Sequence, residues 1–361
     1  MSRDRHDEIA VLLRQRLEAL RKRDAEVAIR PRTENRAKAP EPGWDPGAAL
    51  QLRGRWIADQ VGGSLETMLK ARAVAPYSDL LEVTTTRTGV LEDRPWERPR
   101  AALEASLWLL PGIRDATMKL LNRDGFRDLS GLTDHPRFGP SARKVLRLIQ
   151  RGKPERLMDH IGFRGGRGHL LSLALAGLYD PDQLLFLDIE TMGLFGGSPV
   201  IQVGLAWIEG PDLRIRQLVA RTPEGEDGLV RETVEALEAS PALVTFNGRA
   251  FDFPYICQRA AFYGRPVTCD PVHFDLLPYS RRVWKGRTSN CRLGTLAREV
   301  LGLKRHEDVS GALVPRFYQD YLEDPEERYG LLAGIVNHNL DDMVEMVLLF
   351  ERLMKECQGG L

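Results

Sequence analysis

Leu184-Leu-Phe-Leu-Asp188-Ile-Glu190, the start of LLFLDIETMGLFGG (184–197), is an unbroken apolar run that ends in two acids and then dissolves into glycines. A run of this length bounded by turn residues predicts a buried strand, because a strand covered on both faces shows no polar alternation. Residues i and i+2 of a strand share a face, so Asp188 and Glu190 converge at the strand's carboxyl end. Two hard oxygen donors so placed suit a divalent cation, and the glycines that follow leave room for a substrate. An acid-x-acid pair is weak alone. Glu224 and Glu226 form another, in a loop-like stretch with no acid-bearing strand before it.

Outward from that run, VIQVGLAWIEG (200–210) and LRIRQLVA (213–220) predict two more strands, EDGLVRETVEALE (226–238) a helix, and ALVTFN (242–247) a further buried strand. FDFPYICQRAAFY (251–263) reads as a helix or turn-helix, and the chain after His273 as largely helical. Strand, strand, strand, helix, strand, helix is an α/β order and implies a mixed sheet flanked by helices.

Two further acidic positions follow in order. Asp252 comes just after the Asn247-Gly248 turn, where a carboxylate can lean over the sheet edge toward Asp188 or cap the helix that starts there. His338 and Asp342, in HNLDD, are four apart on an amphipathic segment and share a helix face. That spacing also fits a surface hydrogen bond. Asp341 points about 100° away from Asp342.

D-x-E at a strand end, N-x-x-x-x-D after a later strand and H-x-x-x-D on a C-terminal helix together resemble the DEDD-type exonucleases of the ribonuclease H-like superfamily. The blocks LLFLDIETMGLFGG, LVTFNGRAFDFP (243–254), HFDLLPYSRRVWKGRTSNCRLGTLAREVLGL (273–303) and HNLDDM (338–343) are similar to the YprB-like branch. The resemblance spans about residues 165 to 355 and implies a ribonuclease H-like domain over 165–357. It implies that Asp188, Glu190, Asp252 and Asp342 are the metal carboxylates of a 3′→5′ exonuclease. Two divalent ions, Mg²⁺ or Mn²⁺ at an oxygen-rich site, would serve the attacking and the leaving oxygen. Asp188 would bridge them, Glu190 and Asp342 would complete the nucleophile-side ion, and Asp252 would act on the other. Many relatives of this type carry a Tyr four residues, or a His five residues, before the last Asp. Here His338 stands four before it, and its imidazole is expected to orient or deprotonate the attacking water.

A basic block from 281 to 305 holds eight Lys/Arg against Glu299 alone. Arg281, Arg282, Lys285 and Arg292, with Trp284 for base stacking and Asn247 at the turn, are the expected contacts for a nucleic-acid strand, DNA or RNA, with a single-stranded end. Asp275 is expected either behind the site or in a structural role. Residues 135 to 170 are also basic, with nine Lys/Arg against two acids. LLPGI (109–113), upstream, and HPRFGP (135–140), at the start of that stretch, resemble a tandem helix-hairpin-helix over 101–160, in which hairpin N–H groups hold a phosphate. Gly112 and Gly139 are present, but Arg114 and Arg137 replace their partner glycines. A plain helical bundle is the alternative.

Residues 1–100 predict a mainly helical and linker region, with an amphipathic helix over 8–24, a Pro-rich linker over 29–46 and one β-like run around Glu82 to Val90. The whole chain has 361 residues, 43% hydrophobic, with 51 Lys+Arg against 51 Asp+Glu, which excludes collagen-like, wholly disordered and uniformly basic proteins. No run reaches the roughly 18 to 20 apolar residues of a membrane span. The charged start, and four cysteines without metal-ligand spacing, point to the cytoplasm, no membrane partner and no structural zinc. A structure-specific endonuclease and a non-catalytic nucleic-acid-binding protein are the functional alternatives.

Overall fold

The computed structural model describes Arg55, residues 63–89, Leu91 and residues 97–359 except 152–153, 167, 194–196 and 306–310. The helix expected at 8–24 and the linker at 29–46 lie outside these residues.

Where the sequence predicts a helical and linker region, the chain instead opens the sheet. After the short helix α1 (Leu65–Leu69), β1 (Arg72–Val74) and β2 (Tyr77–Arg87) pair antiparallel. Leu80, Leu81 and Val83 are buried, and a Thr-rich tail suits a pleated, half-covered surface. Buried Glu82 carries its charge there because Arg72 and Arg216 both donate to it, Arg216 at 2.7 Å. The β-like run recognised near Glu82 is therefore part of the main sheet. The boundary near residue 165 does not separate β1 and β2 from the other strands of that sheet.

A helical section comes next, with α2 (Glu97–Ala105), α3 (Asp115–Arg123), α4 (Gly139–Gln150), α5 (Pro154–Gly165) and α6 (Leu170–Ala174). LLPGI leads into α3 and HPRFGP into α4. Gly112 sits at φ +84°, a left-handed turn that side-chain-bearing residues resist, and Arg137 of the second hairpin lies beside it. Arg164 on α5 locks the first hairpin. Its guanidinium donates to the carbonyls of Trp108, Leu110 (3.0 Å) and Ile113 (2.6 Å) and stacks 4.4 Å over the Trp108 ring. One of the nine cations of this region thus serves the fold.

The rest of the chain keeps the predicted order. It runs β3 (Leu184–Thr191), β4 (Val200–Glu209), β5 (Asp212–Ala220), α7 (Glu226–Ala239), β6 (Ala242–Thr245), α8 (Asp252–Phe262), β7 (Val272–Asp275), α9 (Leu276–Trp284), α10 (Leu293–Val300), α11 (Val314–Glu323) and α12 (Tyr329–Gly359). The strand β7 replaces the helical start expected after His273. The sheet order is β1-β2-β5-β4-β3-β6-β7, antiparallel from β1 to β3 and parallel across β3, β6 and β7. This is an α/β, ribonuclease H-like mixed sheet.

One core joins the helical section, one face of the sheet and α12, with Phe186 and Phe350 edge to face at 5.4 Å. Leu103, Leu109, Leu110 and Ile113 are wholly buried in it, each contributing about 1.5–3 kcal/mol by leaving water. The helical section is therefore built onto the sheet. The opposite face is covered by α7 and α8. Gly204 of β4 lets α12 close on the sheet, since an added Cβ would stand 2.5 Å from Asn339 Oδ1.

Candidate active site

Three elements bring the predicted acids together. Asp188 and Glu190 project from the carboxyl half of β3, Asp252 begins α8, and His338 and Asp342 share a face of α12. Pairing between β3 and β6 ends at Phe186, so the Ile189 N–H lies past that ladder. Asp252 Oδ1 accepts it at 3.1 Å. A carboxylate from the start of α8 is thereby pinned between the two acids of the strand.

His338 Nε2 lies 3.4 Å from Glu190 Oε1 and 3.5 Å from Asp342 Oδ2. Ligand-type atoms of Glu190, His338 and Asp342 all fall within 4.8 Å of one another. Asp188 and Asp252 adjoin this trio. Burial, and then the negative charges of Asp342, Asp252 and Glu190, push the Asp188 carboxyl well above the ordinary range, while a hydrogen bond from Asn339 works the other way. Burial also lifts Asp252 to about 7 against the pull of its two backbone N–H donors, with Asp275 and Asp342 adding to the rise. Carboxyls driven up by burial and then by like-charged neighbours mark a site with too little positive charge of its own. Asp341 is exposed.

Residues that the sequence did not single out hold these groups. Asn339, wholly buried, donates from Nδ2 to Asp188 Oδ2 at 2.8 Å, and its Oδ1 accepts from Gln202 (3.1 Å) and Gln217 (3.0 Å). Its signal was present, a polar residue inside an apolar helix beside His338. Tyr255 OH donates to the Ser198 carbonyl at 2.8 Å and secures the end of the loop that follows the D-x-E strand. Arg305, counted in the basic block, instead pairs with Asp342 and Glu345.

The expected substrate residues divide. Asn247, Arg281, Lys285 and Arg292 line one basin of about 890 Å³ between the β6 turn and the start of α10. Arg282 is exposed outside that lining. Trp284 is a correction, being 6% exposed and packed in the main core, where it cannot stack on a base. On α9 it falls on the face of Leu277 and Ser280, at helical spacing, while Arg281, Arg282 and Lys285 face solvent. Asp275 caps α9 through the Leu277 N–H at 3.1 Å and accepts the Asn247 N–H at 2.8 Å. It thereby holds the left-handed turn at Asn247, φ +69°. Its role is structural.

This mixed sheet, with acids at the end of its central strand and a helix laid across it, defines a ribonuclease H-like domain. Residues 185–354 match the family model described as RNase_H superfamily. It is 32% identical over 197 residues to a protein of Bacillus subtilis (strain 168) named "Uncharacterized protein YprB". That match takes in 54% of this chain and 46% of the relative, so the chain spans about half the relative's length. Among solved structures, it is similar to the family B DNA polymerase from the hyperthermophilic archaeon Pyrobaculum calidifontis, with a TM-score of 0.38 and 20% identity over 47% of this chain and 24% of that one. No helix among the described residues is long and apolar enough to cross a membrane.

Proposed function

We propose that this protein is a metal-dependent nuclease that removes nucleotides from the 3′ end of a nucleic-acid strand. The observation that carries the reading is the convergence of Asp188, Glu190, Asp252 and Asp342, with His338 among them, on one end of β3. The donor set fits divalent cations. It is rich in carboxylate oxygen with a single imidazole, and the upward push on Asp188, from burial and then from three neighbouring acids, is the strain that a cation relieves. Asp188, Glu190, Asp252 and Asp342 would hold Mg²⁺ or Mn²⁺, two ions in the full site. Bound there, the ions would supply charge for the phosphodiester in its transition state and lower the pKa of water.

The chain's own groups account for the rest. His338 Nε2, facing Glu190 and Asp342, is placed to orient the attacking water by a hydrogen bond. Arg281, Lys285 and Arg292 around the basin supply phosphate partners, with the Asn247 turn at its rim. The exposed Arg114 and Arg137 of the two hairpins add a phosphate-binding face in the helical section, which favours DNA.

The test is a set of matched single strands and closed circles of DNA and RNA in Mn²⁺. Stepwise shortening from the 3′ end, with circles left intact, is the expected result. Cleavage of circles would assign the site to an endonuclease.

A further inference from the structure

Arg305 reaches the acidic cluster from the segment after α10 and meets one face of α12, the face formed by His338, Asp342 and Glu345 at i, i+4 and i+7. Its guanidinium is clamped on buried Glu345, with Nε on Oε1 at 2.7 Å and Nη2 on Oε2 at 2.5 Å. Nη2 also donates to Asp342 Oδ1, and Nη1 lies 3.3 Å from His338 Nδ1. Arg305 therefore takes the outer atom of each site residue. The inner atoms, Asp342 Oδ2 and His338 Nε2, are left 3.5 Å apart and turned toward Glu190.

We infer that Arg305, fixed by Glu345, is a positioning residue that aims Asp342 Oδ2 and His338 Nε2 into the metal site. The inference rests on the metal-dependent reading above. A guanidinium suits this task because its planar fork offers several donors in a set geometry, whereas an ammonium is a point charge that cannot hold three partners at fixed angles. Donation from Nη1 to Nδ1 also places the imidazole proton on Nε2 when the ring is neutral, so His338 meets a water as a hydrogen-bond donor. The partners that orient a metal's ligands commonly change its affinity by about 10- to 100-fold.

The experiment is calorimetric titration of the full chain with Mn²⁺, alongside Glu345→Gln and Arg305→Lys, with metal-free thermal unfolding to score folding. Glu345→Gln preserves volume and Arg305→Lys preserves charge, so either folded variant decides the matter. Mn²⁺ affinity is expected to fall about 10- to 100-fold in both, with no rescue by lysine. Affinity within about twofold of the unaltered protein, despite a lowered melting temperature, would make the clamp merely structural and overturn the inference. Tighter binding would overturn it too, by making Arg305 a competing counter-cation. An unaltered protein that binds no Mn²⁺ would remove the metal reading itself, and the inference with it.

Discussion

Asn339 Nδ2 donates to Asp188 Oδ2 at 2.8 Å, so the helix that carries His338 and Asp342 also fixes the acid on the central strand. The amide is held in turn by Gln202 and Gln217 from β4 and β5, and three strands of the sheet meet the helix in one side chain. Asn339→Asp would set an acceptor against a carboxylate. Nucleolytic rate is expected to drop by about 10- to 100-fold, the usual effect of losing a partner behind a ligand. Asn339→Ala would also strand the buried Gln202 amide, whereas Gln217 keeps its bond to the Val336 carbonyl at 2.8 Å, at a cost of roughly 1–3 kcal/mol in denaturant unfolding. Full activity of the Asp variant would remove Asn339 from the site.

Behind the sheet, Glu226 and Arg259 form a wholly buried pair, with Nε–Oε1 at 2.7 Å and Nη2–Oε2 at 2.5 Å. Glu226 accepts also from Tyr263 OH and from the Val200 N–H that starts β4. Removing one partner leaves a buried charge uncompensated. Arg259→Met is expected to cost about 3–5 kcal/mol in urea unfolding. Replacing both by apolar residues is expected to cost less than the single change. A loss below about 1 kcal/mol in the single variant would mean that water reaches the pair.

His273 gives the fold an acid-sensitive point. Burial chiefly, and then Arg249, push its imidazole down to about 3, and Nε2 pairs with Thr245 Oγ1 at 2.8 Å. Folded, the ring stays neutral, while the unfolded ring takes a proton below about pH 6.5. The stability it confers is therefore fully present above that pH. It is lost as pH falls from about 6.5 toward 3, at up to about 1.4 kcal/mol per unit. His273→Gln should flatten that share of the slope when urea unfolding is compared at about pH 7, 6 and 5. Parallel slopes in the two proteins would contradict the assignment.

The basin contacts are separable from chemistry. Arg281→Gln, Lys285→Gln and Arg292→Gln should each weaken strand binding about equally across sequences and lower the salt slope of the binding constant by roughly one per lost phosphate contact. Fluorescence anisotropy over a salt series measures both. Unchanged slopes would place the strand elsewhere.

The site residues were legible in the sequence because each sits on a local pattern: two acids on one strand, one after a turn, and His338 with Asp342 on one helix turn. Their supports were not. Asn339 and Glu345 lie in the same helix as recognised residues, but their partners come from β3, β4, β5 and the segment after α10, and such contacts leave no mark in spacing. Arg164 and Arg305 were counted as free basic charge, although charge counting does not distinguish a phosphate contact from a guanidinium closed on carbonyls or carboxylates. Trp284 was misread because its basic neighbours drew attention from its own helical period. Strands β1 and β2 were missed as part of the sheet because β5, which pairs with β2 and so joins both to it, lies more than a hundred residues downstream.

The central claim is that Asp188 and its neighbours form a hydrolytic, metal-dependent centre. The direct measurement compares the full chain with Asp188→Ala and Asp342→Ala on a 5′-labelled single strand, with Mn²⁺ and with chelator. The account predicts a ladder of shortening products from the unaltered protein in Mn²⁺ alone, and none from either variant although both remain folded by circular dichroism. A ladder from a purified variant at the unaltered rate, or one that persists in chelator, would contradict it.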